Sequence, residues 1–188
     1  LKNQIRSIVN PSGEEWDELA RLVSVRHLTK KETFVEAGRV CTHLGFIEKG
    51  LMRLYQWVNG EERTLNFYGE DEFISVMPSF QLQQPSKSTF EALTPVDLIV
   101  IAHDDLYGLF ERHHVWERLG RLVAEKKLKE MNDLRDDFNY KTPTERYLYL
   151  TTRHPALLQH VPVQHIASYL GITRVHLTRL RRQLMSKH

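Results

Sequence analysis

The chain has 188 residues, 41% hydrophobic and 27% charged, with a formal net charge of +2. That length suffices for one large domain or two small ones, and the balance is that of an ordinary globular chain rather than a disordered or fibrous one. The single cysteine, Cys41, excludes an internal disulfide and a four-thiolate iron–sulfur cluster within one chain, and no apolar run approaches the ~20 residues of a membrane span.

There is no signal-peptide pattern, so a cytoplasmic location is expected. The chain begins at Leu1 rather than Met, which leaves open whether residues precede it. The small net charge hides an asymmetry. Residues 139–188 hold eight Lys/Arg (Lys141, Arg146, Arg153, Arg174, Arg179, Arg181, Arg182 and Lys187) against one acid, Glu145, a net +7; the rest of the chain is −5. A basic end on an acidic body predicts a polyanionic partner at that end.

In chain order, Ile5, Ile8 and Val9 have helical spacing, broken by Asn10-Pro11-Ser12-Gly13. Ser12 or Gly13 then starts a second helix, with Trp16, Leu19, Ala20 and Val23 as its apolar stripe and Glu14 and Glu15 at its positive end. From Val25 to Ile101 the period changes to short runs rich in β-branched and aromatic residues: Leu44–Glu48, Leu51–Val58, Arg63–Tyr68, Phe90–Leu93 and Leu98–Ala102. Asn59-Gly60 is a strong type I′ hairpin signal. Many short strands predict a sandwich or small barrel, able to enclose a ligand or to be filled by its own side chains.

His103-Asp104-Asp105 reads as a helix start, leading into Leu106–Arg112. A longer helix is predicted from Val115 to Phe138, with Leu119, Leu122, Val123, Leu128, Met131, Leu134 and Phe138 as its stripe. At ~36 Å it is too long to bury against one small domain, and pairing between two copies is its natural use. The alternative is a helix lying across its own roll. Asn139–Thr142 ends it before Pro143, Thr144–Thr152 is a further helix capped by Thr142 or Thr144, His154-Pro155 stops that one, and Ala156–His160 is a short helical turn.

Val161–Leu184 reads as two short helices joined by a tight turn. Ile166, Ala167 and Leu170 give the first an apolar face, Gly171 ends it, and Thr173 stands at the next N-cap. Leu177, Leu180 and Leu184 bury one side of the second helix, leaving Arg174, Val175, Thr178, Arg179 and Arg182 on the other. That is a helix-turn-helix with guanidinium groups outward, or an ordinary helical hairpin with a solvated basic face.

The order of small helices, β-roll, long helix and helix-turn-helix resembles the catabolite-activator/fumarate-nitrate-regulator (Crp/Fnr) family of bacterial transcription regulators, especially its Bacteroidetes-like branch. The resemblance covers nearly the whole chain and is most specific in I-E-K-G-L-M-R-L-Y (Ile47–Tyr55), T-P-T-E-R-Y-L-Y-L (Thr142–Leu150) and H-I-A-S-Y-L-G-I-T (His165–Thr173). It implies an α+β fold: a cyclic-nucleotide-binding-type jelly roll over residues 1–114, a dimerisation helix over 115–138, and a helix-turn-helix domain of the winged-helix type over 139–188, with little or no room for a C-terminal wing. It implies a homodimer on pseudo-palindromic double-stranded DNA, with RNA polymerase as a further partner and no membrane. Thr173 then corresponds to a phosphate contact, and Arg174 and Arg179 match arginines that contact DNA in cyclic-AMP-responsive members. Val175 departs from the glutamate those members carry, so a different operator is expected, since valine packs on a thymine methyl and cannot accept from a cytosine amine. His176 and Arg182 are expected on phosphates.

Cyclic-nucleotide-binding relatives hold ribose with a glutamate and phosphate with an arginine. The matching stretch here, Phe73–Ala92, has Ser75-Val76-Met77 at the first element and Ser86-Lys87 at the second, so both partners are missing unless Lys87 serves as a point charge. The effector is therefore expected not to be cyclic AMP; Ser75, Val76, Ser86, Lys87 and Ser88 are candidates for a pocket binding something else, with a solvated loop as the alternative. No cofactor or metal is predicted. His113 and His114 could ligate haem but have no accompanying signature, and a structural role explains them. No catalytic motif is found, so no enzymatic activity is expected. The alternatives are a small-molecule-binding roll whose C-terminal helices serve a protein partner, and a cupin-like enzyme. The +7 segment argues against the first, and the lack of clustered His/Glu on strands against the second.

Overall fold

The computed structural model describes residues 1–153, 155 and 157–185. His154, Ala156 and Lys187, which entered the reading above, lie outside the described residues.

Two short helices open the chain, α1 (Lys2–Arg6) and α2 (Gly13–Leu22). Ser12 caps α2 in a reciprocal capping box with Glu15, which satisfies two otherwise orphaned N–H groups. The predicted stripe of α2 is narrower than expected. Leu19 is buried and Trp16 half-buried, but Ala20 faces solvent and Val23 already belongs to the first strand.

Eight strands follow: β1 (Val23–Leu28), β2 (Thr33–Val35), β3 (His43–Lys49), β4 (Met52–Val58), β5 (Glu61–Tyr68), β6 (Phe73–Ile74), β7 (Thr89–Ala92) and β8 (Val96–Ala102). They form two four-stranded antiparallel sheets, ordered β1-β8-β3-β6 and β2-β7-β4-β5. Ile47, Met52, Phe90, Leu98 and Ile74 fill the space between them. The β4–β5 hairpin turns at Asn59 and Gly60, both at positive φ (53° and 81°), as the two-residue turn requires. Gly50, at φ 102°, lets the β3–β4 turn press on the β7–β8 turn; a Cβ there would lie 2.4 Å from the Pro95 carbonyl oxygen.

A short helix, α3 (Met77–Leu82), lies where the sequence suggested only a binding cassette or loop. Pro78 in its first turn is tolerated because an N–H there has no intrahelical partner. Then come α4 (His103–Arg112) and α5 (His114–Tyr140), the latter 27 residues or about 40 Å long. Asp104 and Asp105 stand in the first turn of α4, where the helix dipole favours acids. Among the described residues, no helix is long and apolar enough to cross a membrane.

The C-terminal part holds α6 (Pro143–Arg153), α7 (Leu157–His160), α8 (Val163–Leu170) and α9 (Arg174–Met185). Thr142 caps α6 together with Glu145, and these hydrogen bonds hold the Glu145 carboxyl below its ordinary pKa. Of the apolar residues of α6, Tyr147 and Leu150 are buried and Leu148 is exposed. Ile166, Ala167, Leu170, Leu177 and Leu180 build a second core, which also takes in Leu51, Phe67 and Leu93 from the roll. The helical unit is therefore docked on the β4–β5 side of the sandwich.

Candidate nucleic-acid interface and roll cavity

The turn between α8 and α9 is made by Gly171 at φ 69°, whose N–H bonds back to Ser168. Thr173 then accepts the His176 backbone N–H on its hydroxyl at 3.2 Å, as an N-cap should. This use of the hydroxyl ties Thr173 to the helix start. Leu177 and Leu180 point into the second core, so the same helix must turn Arg174, Val175, Thr178, Arg179 and Arg182 outward. All five are exposed, as is His176, and Val175 is 62% accessible. Among the described residues, no ion pair neutralises Arg174, Arg179 or Arg182. Thr178 donates its hydroxyl proton to the Arg174 carbonyl at 2.9 Å, which occupies the hydroxyl hydrogen and leaves oxygen lone pairs outward. The face is a ridge of three guanidinium groups, without ion-pair partners among the described residues, around one valine. It can bind an anionic lattice and offer bidentate donors to acceptor pairs.

The predicted dimerisation stripe divides along α5. Leu128 and Met131 are 62% and 67% exposed and unpartnered by their own chain. Leu122 and Val123 are half-buried. Leu119 packs against the cluster of Ile5, Leu19, Ile101, Leu109 and Trp116, Leu134 on the second core, and Phe138 stacks edge-on with Tyr169 and under Arg146. An apolar stripe does not reveal which of its members serve the chain's own core.

The predicted pocket residues do come together. Ser75, Val76, Ser86, Lys87 and Ser88 all lie along one solvent-open cleft of about 1380 Å³, which also reaches Leu1 and Ile5 at the N-terminal helices, Val123, Ala124 and Lys127 of α5, and Leu150 and Tyr169 of the helical unit. The serines among these five are engaged within the chain. Ser86 donates to the Ser88 carbonyl at 2.7 Å and accepts the Ser88 N–H at 3.0 Å, while the Ser88 hydroxyl oxygen accepts the Gln56 amide N–H at 2.8 Å. Ser75 lies 3.5 Å from the Cys41 thiol, and only Lys87 is exposed. His113, weighed above as a haem ligand, bonds Glu18 at 2.5 Å beside Arg112, and His114 bonds Glu117 at 2.8 Å.

One cluster escaped the sequence reading. Arg53 of β4 is 2% exposed under α8. Its Nη2 donates to Glu62 of β5 at 2.6 Å and Glu91 of β7 at 3.0 Å, and its Nη1 donates to Nδ1 of His165 at 2.7 Å. Its plane lies 4.2 Å from the Tyr55 ring centre. Burial first, and then Arg53, hold His165 below its ordinary pKa, while burial with Glu62 and Glu91 pushes the Tyr55 phenol up. The available signal was an arginine inside the otherwise apolar run Leu51–Tyr55.

Residues 25–113 match the family model described as the cyclic nucleotide-binding domain. The roll has that fold. Over nearly its whole length the chain also shares its fold with solved structures. A protein assigned as a Crp/Fnr-family transcriptional regulator from Eubacterium rectale has a TM-score of 0.74 at 17% identity, covering 94% of this chain and 85% of that one. FixK2 from Bradyrhizobium japonicum gives 0.74 at 15%, covering 88% and 85%. The c-di-GMP-responsive global regulator CLP of Xanthomonas campestris gives 0.70 at 16%, covering 94% and 93%. No curated protein sequence matches the chain.

Proposed function

We propose that this protein is a sequence-specific DNA-binding transcription regulator of the Crp/Fnr type, acting as a homodimer. The observation that carries the reading is the α9 ridge: three exposed arginines, without ion-pair partners among the described residues, on the solvent side of a helix whose other side is core. In this reading α9 enters the major groove. Arg174 and Arg179 read guanine edges through bidentate donors, Val175 meets a thymine methyl, and Thr173, His176 and Arg182 hold phosphates. Thr178 borders the contact. RNA polymerase is the expected further partner. The length of α5 and its exposed Leu128 and Met131 support pairing along that helix, which would set two α9 helices about one DNA turn apart.

The roll is the sensor in this reading. In this reading the stretch matched to the nucleotide cassette carries Val76 and the internally bonded Ser86 and Ser88, with Lys87 as its one charge, instead of a carboxylate and a guanidinium, which supports an effector other than cyclic AMP. The test is selection of bound fragments from a random double-stranded DNA pool at near-physiological salt, without added ligand. A two-fold-symmetric motif with half-sites ~10 base pairs apart is expected. Recovery of single, unpaired half-sites would overturn the dimer, and retention of sequence preference after Arg174→Ala with Arg179→Ala would overturn the α9 assignment.

A further inference from the structure

His165 and Ser168 lie one turn apart on α8, so they face the same way. Both point at the roll. β5 is one of the two edge strands of its sheet, a place where backbone N–H and C=O groups lack strand partners. The Ser168 hydroxyl accepts the Thr64 N–H at 3.0 Å and donates to the Glu62 carbonyl at 3.0 Å, so one side chain satisfies an edge donor and an edge acceptor. Beside it, His165 accepts from the buried Arg53. Tyr169, on the same helix face, packs on Phe67 of β5 at 5.5 Å between ring centres.

We propose that Arg53, His165 and Ser168 form a proton-sensitive latch that holds the helical unit on the roll and opens when His165 takes up a second proton. The Nδ1 lone pair is the acceptor, so the neutral ring carries its proton on Nε2. A proton from solvent on Nδ1 breaks the Nη1–H···Nδ1 bond and sets N–H against N–H across 2.7 Å, with two cations side by side. The charged groups facing the ring are Arg53 from β4, Glu62 from β5 and Glu91 from β7. The two carboxylates would attract an imidazolium, but both already accept from Arg53 Nη2, and burial with Arg53 outweighs them. Since docking depresses the pKa, its stabilisation is fully present above the ordinary histidine value of about 6.5 and is lost as pH falls from there through the docked value.

Hydrogen exchange on the full-length chain, followed by mass spectrometry from about pH 7.5 down to about pH 5, tests the latch. After correction for the intrinsic pH dependence of exchange, the Glu62–Thr64 segment should exchange at least ~10-fold faster at the acidic end. In His165→Asn, Oδ1 takes the place of Nδ1 and cannot be protonated, so protection should persist. The latch is overturned if β5 protection in the unaltered protein does not change with pH, if His165→Asn loses it equally, or if β3 and β8 lose protection in step, since acid would then be unfolding the roll itself. No DNA enters this measurement, so it can fail independently of the proposed regulatory role.

Discussion

Replacing Arg53 by methionine keeps an unbranched stem and removes the charged guanidinium. The structure says what is stranded: two carboxylates, at 2.6 and 3.0 Å, and the His165 lone pair at 2.7 Å. Breaking a fully buried ion pair by removing one partner costs about 3–5 kcal/mol, because the other charge is left uncompensated. Here the side chains of Glu62 and Glu91 keep 30% and 16% of their exposure, so water recovers part of that. The stacking of the guanidinium on Tyr55 is lost as well. We expect a net loss of about 3 kcal/mol, a little over a hundredfold in the unfolding equilibrium. Equilibrium urea unfolding measures it. The same reasoning requires that Arg53→Met combined with Glu62→Gln and Glu91→Gln regain at least about half the loss, since no charge is then stranded. A single-variant cost below ~1 kcal/mol, or a triple variant no better than the single one, would refute the account of the cluster.

Arg174→Ala with Arg179→Ala should remove sequence preference while leaving the oligomeric state unchanged; sedimentation and DNA selection read the two outcomes separately. If each arginine reads a base, the loss in discrimination is about 1–3 kcal/mol apiece. Arg182→Ala should instead weaken binding to all sequences and lower the salt slope by about 0.9 per protomer, as expected for one phosphate contact. If the proposed dimer pairs along α5, Leu128→Glu with Met131→Glu should shift it to monomer without changing its far-ultraviolet circular dichroism, because both side chains are exposed in the single chain.

Much of the fold was legible because periodicity is a local signal. The strand runs, Asn59-Gly60, the Thr142 cap and the Ile166/Leu170/Leu177/Leu180 pattern each depend on neighbours within a few residues, and each stands where expected. Sequence reasoning failed where distant segments decide. Ala20 fits a helix stripe by spacing but no element covers it. Leu134 and Phe138 look like dimer positions, yet their own chain's helical unit packs against them. α3 has too few residues to show a period, and its proline argues locally against a helix that tolerates it at the first turn. The outward face of α9 was readable because burial of its leucines forces it. The Arg53 cluster was not, because its members lie as many as 112 residues apart.

Docking and DNA contact use different faces of the helical unit. α8 turns His165, Ser168 and Tyr169 to the roll, while α9 turns Arg174, Arg179 and Arg182 to solvent. The docked unit therefore leaves its proposed groove-reading face open, and the latch would govern where that face points rather than whether it is available. In a dimer joined along α5, the spacing between the two α9 helices follows from how firmly each unit is held on its roll. Opening the latch with Arg53→Met should then change affinity for an isolated half-site by less than about threefold, because α9 itself is untouched. Affinity for the two-half-site operator should fall at least about tenfold, because two freely oriented units lose their fixed separation. Fluorescence anisotropy on the two DNA lengths at one salt concentration separates the cases. A half-site affinity that rose tenfold in the variant would mean that docking masks α9, and equal losses on both DNAs would mean that the substitution had damaged the helical unit.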